Sequence, residues 1–160
     1  MNTEEVEQKK AVYRSLVSPS MMDDLEKRIR DKIVTQKKYL DKGYSAKKLA
    51  EDLGTNTRYI SAVVNVRFHM NYTSFVNLHR IKEAMELMVM PKYQKLNMEE
   101  LSDMVGFSNR QSFYAAFTKV VGTTPRSYKV ANAVEPGKRG RYRKVRLDEL
   151  TPKTDTIGAK

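Results

Sequence analysis

Leu49, Gly54, Ile60 and Val64 return as Leu101, Gly106, Phe113 and Phe117, at offsets of 52 for the first two and 53 for the last two. In each copy a two-turn apolar stripe stops at a glycine, and a second apolar helix starts after a short polar turn. The extra residue of the second copy sits in that turn. A short helix, a tight turn and a second helix make a helix-turn-helix plan. Two copies are too few for a solenoid, which needs at least about three repeats. No β alternation interrupts the pattern between them. The chain is therefore expected to be all-α.

The rest of the chain is organised around the repeat. Residues 1–22 read as a leader, with Val6, Tyr13 and Val17 on one side of a short amphipathic helix that Ser18-Pro19-Ser20 interrupts. From Asp23 a stronger helix is expected, with Leu25, Ile29 and Ile33 inward, Asp23 and Asp24 at its positive end, and Gly43 as its stop. Ser45 and Asn56 are natural N-caps for the two helices of the first copy, over about residues 45–65. A longer linker helix over about 73–90 places Phe75, Leu78, Ile81, Met85 and Met88 on one face, with Pro91 after it. The second copy, about 97–120, opens with an Asn97/Glu100 capping box, and Ser108/Gln111 form a second such pair. Thr124-Pro125 caps a last short helix through Tyr128. The core domain thus covers 23–130, and 131–160 reads as a basic, flexible tail.

Several chemistries lack their residues. There is no cysteine, and the two histidines, His69 and His79, have no acidic cluster between them, so neither a metal site nor a cofactor is expected. No nucleophile–base pair or phosphate loop is present, and an enzyme is the least favoured reading. No apolar run approaches the roughly 20 residues that cross a bilayer, and the N-terminus has no signal-peptide pattern. A soluble intracellular protein without a membrane partner is expected. Net charge is +11, with 19 basic and 12 acidic residues in 23–130 and 8 and 4 in the tail. Such an excess favours polyanions through counterion release, whatever sequence they carry.

The polar start of the second helix narrows this further. Ser108-Asn109-Arg110-Gln111 separates Phe107 from Phe113 and Phe117. In a helix-turn-helix the second helix lies in a major groove and offers its N-terminal residues to base edges. Arg110 can donate two hydrogen bonds to guanine O6 and N7, and Gln111 can pair with adenine N6 and N7. Arg58, with Ser61 one turn later, occupies the corresponding place in the first copy. The plainer reading, capped helices with ordinary solvated polar turns, fits one copy as well. Two copies in a basic domain favour double-stranded DNA.

The segment GFSNRQSFYAAFTKVVGTTPRSYK, Gly106 to Lys129, resembles the second-motif signature of the AraC/XylS family of transcription regulators. Gly106-Phe107-Ser108, Phe113, Phe117, Lys119, Gly122, Pro125 and Tyr128 carry the match. LAEDLGTNTRYIS and FVNLHRIKEAMELM, with Arg80 and Ala84, resemble the first motif and the linker helix, so the likeness spans about 23–130. It implies two homeodomain-like helix-turn-helix subdomains on a rigid helix, acting as a sequence-specific transcription regulator that inserts two recognition helices into successive major grooves. Base contacts are then expected from Arg58, Ser61, Arg110, Gln111 and Tyr114, and phosphate contacts from Thr57, Asn109 and Lys119. The chain departs from the family at His69, where a glycine is usual, at Val64, where an aromatic is usual, and at Ala62 and Ala115, where long polar side chains are frequent.

A linker of about 18 residues spans roughly 27 Å, so one chain can read both halves of a site. A monomer suffices, while a dimer and a contact with RNA polymerase stay open. In the tail, Lys138, Arg139, Arg141, Arg143 and Lys144 could follow phosphates or enter a narrow minor groove, or merely keep the chain solvated. The 22 residues ahead of the domain are too few for a ligand pocket, which leaves a stand-alone regulator or the end of a longer sensor. Two other functions remain: a nonspecific or architectural nucleic-acid-binding protein, and a protein-binding adaptor of the same fold exposing Phe68, Met70 and Tyr72.

Overall fold

The computed structural model describes residues 2–133. Among them are eight α-helices and no strand: α1 (Thr3–Leu16), α2 (Pro19–Arg30), α3 (Ala46–Leu53), α4 (Thr57–Phe68), α5 (Tyr72–Val89), α6 (Met98–Met104), α7 (Arg110–Val121) and α8 (Pro125–Asn132). Contacts divide the chain into two compact units that meet within α5, the first ending at Asn77 and the second beginning at Leu78.

In the first unit the core is built from Leu25, Ile29, Ile33, Leu49, Leu53, Ile60, Val63 and Val64, all buried. α2 begins earlier than the acidic pair suggests. Ser18 caps it, its hydroxyl accepting the Met21 N–H at 3.3 Å, and Pro19 takes the first helical position. Ser18-Pro19-Ser20 is thus a helix start rather than a break, because proline lacks an N–H that the first turn could not have paired anyway. Asp24 pairs instead with Arg28 at 3.2 Å, and Asp23 with Arg67 of α4. The far end also differs from expectation. A single π turn, Asp31–Thr35, closes the helix, and Lys37 at φ 53° reverses the chain before Gly43 is reached.

α3 ends on Gly54 at φ 65°, with the Thr55 N–H bonded to the Ala50 carbonyl at 2.9 Å. The same reversal ends α6: Gly106 has φ 93°, and the Phe107 N–H bonds to the Ser102 carbonyl at 3.0 Å. Only glycine takes such a left-handed turn without strain. The repeated glycines therefore fix the same turn twice, with one residue between glycine and N-cap in the first copy and two in the second.

Tyr44 ties the first turn together. Its hydroxyl donates to Asp52 at 2.7 Å, Lys48 bridges the same carboxylate at 3.1 Å, and the Tyr72 hydroxyl donates to the Tyr44 carbonyl at 2.9 Å. Burial, then the Asp52 hydrogen bond, pushes the Tyr44 phenol up, while the hydrogen bonds from Tyr44 and Lys48 hold Asp52 below its ordinary 3.8. Phe68, Met70 and Tyr72 are half-buried against this core, with Phe68 stacked on Phe75 at 4.4 Å and capped by the Arg30 guanidinium at 4.5 Å. They are packing groups, contrary to the expectation of exposed apolar residues.

In the second unit Phe113 and Phe117 are fully buried and meet edge to face at 5.7 Å, with Phe107 at 5.4 Å and Tyr128 at 5.6 Å on either side. α5 buries Leu78, Ile81, Met85 and Met88 as expected, and Ala84 and Leu87 besides. No helix among the described residues is long and apolar enough to cross a membrane.

Candidate nucleic-acid interface

α7 starts at Arg110 because Asn109 caps it. The Asn109 side-chain oxygen accepts the Ser112 N–H at 2.8 Å. The Ser108/Gln111 capping box is therefore replaced by a cap one residue later, where asparagine is at least as good as serine. This shift leaves Gln111 free of a capping role and exposed. Arg110, Gln111, Ala115 and Thr118 are exposed and Tyr114 half-exposed, while Phe113 and Phe117 point into the core. The Arg110 guanidinium lies over the Tyr114 ring at 5.1 Å, which holds a long side chain in one direction. Lys119 is exposed in the last turn.

Two cations missed by sequence reasoning complete this surface. Arg126 and Lys129 of α8 line a 500 Å³ cleft together with Arg110 and Tyr114. The Lys129 ammonium is anchored by the Leu96 carbonyl at 2.7 Å. Their signal lay in the spacing after Thr124-Pro125, since Arg126 and Lys129 fall three apart on one short helix. Behind α7, Arg80 of α5 stacks over Phe107 at 5.6 Å and braces the turn.

In the first unit α4 is capped by Asn56, whose side chain accepts the Tyr59 N–H at 2.9 Å. Thr57 and Arg58 are exposed in its first turn, and Ser61 is half-exposed. The Ser61 carbonyl accepts the Asn65 amide at 2.9 Å. Ala62 is fully buried, and α4 packs more extensively against α1 than against α2 or α3. Arg58 opens into a 620 Å³ cleft whose other walls, Glu5, Gln8, Lys9, Val12, Tyr13 and Leu16, all belong to α1. His69 ends the helix at φ 57°, in the conformation that a glycine would take at no strain.

Lys138, Arg139, Arg141, Arg143 and Lys144 lie outside the described residues. No group of three or more His, Asp or Glu among the described residues could hold a metal ion.

A family model described as a helix-turn-helix domain matches residues 49–130, just over half of the chain. Among solved structures, the C-terminal domain of AraT, a response regulator from Geobacillus stearothermophilus, superposes with a TM-score of 0.61 at 21% identity, covering 69% of this chain and 89% of that one. The C-terminal domain of the two-component response regulator yesN from Fusobacterium nucleatum gives 0.58 at 23% identity, over 66% and 98% of the two chains. A Listeria innocua protein of unknown function gives 0.57 at 23% identity, over 72% and 99%. No sequence among the curated proteins matches the chain.

Proposed function

We propose that this chain, which belongs to the AraC-type helix-turn-helix family of DNA-binding transcription regulators, reads a specific duplex sequence by inserting α4 and α7 into successive major grooves. The observation that carries the reading is α7 itself. Its inner face is a pair of fully buried phenylalanines, and its outer face offers exposed Arg110 and Gln111 and half-exposed Tyr114, with the Arg110 guanidinium over the Tyr114 ring. A helix so clamped keeps its polar face fixed while a groove closes over it.

The roles divide by chemistry. Arg110 suits a bidentate contact with guanine, Gln111 with adenine, and Tyr114 a contact one turn on. In α4, Arg58 and Ser61 take the equivalent positions. Thr57 and Asn109 sit at helix starts, where backbone N–H groups and the helix dipole favour a phosphate. Asn109 spends only its oxygen on the cap and keeps its amide to donate. Lys119 serves as a phosphate contact, and we add Arg126, which shares the Arg110 cleft.

α5, with 18 residues, is about 27 Å long. Together with the widths of the flanking helices this suits half-sites about 34 Å apart. One chain is then enough to occupy an asymmetric site.

Binding-site selection from random duplexes, followed by titration at physiological salt, tests this. A recovered motif bound at least about 10³-fold more tightly than random DNA is expected. Equal affinity for every duplex would instead favour a nonspecific, charge-driven binder.

A further inference from the structure

The internal repeat supplies its own control. With a 53-residue offset, Thr57, Arg58, Ser61, Ala62 and Asn65 of α4 correspond to Arg110, Gln111, Tyr114, Ala115 and Thr118 of α7. Ala115 is exposed, whereas Ala62 is fully buried, although both are alanines at the same place on the same kind of helix. Ala62 lies about 200° around the helix from Ile60, away from the side that faces the α2–α3 core. α1 makes the most extensive packing on α4, with Tyr13 and Leu16 set against the cluster that contains Ala62. The α1 side chains also wall the cleft into which Arg58 opens.

We propose that α1 is a removable cover over the first recognition helix, and that α4 enters a groove only once α1 has left it. This rests on the reading of α4 and α7 as groove-inserting helices. A major groove about 12 Å wide accepts one helix of about 10–12 Å diameter, not two lying side by side. α1 and a groove therefore compete for one face. The cover is built to come off: none of the residues of α1 itself is fully buried. Val17, just beyond its end, is buried and stays as the hinge-side anchor. The uncovered α7 can engage DNA first, and the duplex then displaces α1 from α4.

The test uses the full chain and a Tyr13→Asp, Leu16→Asp double variant, each titrated with the selected duplex and each digested with trypsin free and bound. Apparent affinity falls in proportion to the open fraction, so the variant is expected to bind about tenfold more tightly or better. In the unaltered chain, saturating duplex is expected to speed cleavage after Lys9, Lys10 and Arg14, a readout that holds even if the variant folds poorly. Equal affinities, with those sites equally protected in the complex, would overturn the cover while leaving DNA binding intact. Failure of both proteins to bind any duplex would overturn the DNA reading and the cover with it.

Discussion

Arg110 and Lys119 both stand exposed on α7, yet their substitutions are expected to differ in kind. Arg110→Ala removes the group proposed for bidentate base contact, and should cost about 1–3 kcal/mol at one position of the site while relaxing preference there. Lys119→Ala, like Arg126→Ala, should weaken binding evenly across sequences and lower the salt slope by about one ion. Selection repeated with each variant separates the two; an unchanged second half-site preference in Arg110→Ala would remove that residue from direct readout. His69 poses a question of stability. A left-handed, non-glycine residue carries roughly 1 kcal/mol of backbone strain. His69→Gly should raise the unfolding free energy by up to about 1 kcal/mol in urea titration, because relief of strain exceeds the added freedom of the unfolded chain. A loss of stability would mean that the imidazole makes a contact worth more than the strain.

At the scale of elements, Phe113 and Phe117 hold α7 by its back, and Phe113→Ala should destabilise the second unit by about 3–5 kcal/mol. Thermal unfolding checks that value. The α3 tie through Asp52 gives a pH signature. Its carboxyl is depressed, so its contribution is present above the ordinary 3.8 and is lost as pH falls through the lower, folded value. Asp52→Asn should therefore be less stable than the unaltered chain near neutrality, with the gap closing in acid. A gap that persists below that range would assign the effect to packing instead.

The elements also show what a single sequence can reveal. Asn56, Asn97 and Thr124 were readable as caps because each precedes an apolar run at the right spacing, and Gly54 and Gly106 because left-handed turns favour glycine. The start of α2 was harder, since Ser-Pro-Ser signals a break and a first turn equally well. Its end was hidden because Lys37 takes the left-handed position with no glycine to mark it. The exposed polar face of α7 was legible from Arg110 and Gln111. The packing of α1 on α4 was not: Val6 and Tyr13 showed that α1 has an apolar side, but nothing local says which helix that side will meet.

The whole molecule combines two units of the same plan through one 18-residue helix, in a chain of net charge +11. Charge brings any duplex near; the two helix faces are proposed to choose among them. Removing residues 134–160, which hold the basic run from Lys138, should reduce the salt dependence of binding by several ions if that run meets phosphates. An unchanged slope would make it a solubilising segment.

Methylation interference on a selected duplex examines the shared use of both units most directly, because it maps guanine N7 contacts within the major groove. Two clusters of sensitive guanines, about 10 base pairs apart on one face, are expected, with the α7 cluster lost in Arg110→Ala and the α4 cluster lost in Arg58→Ala. A single cluster that disappears with Arg110 and ignores Arg58 would contradict the account.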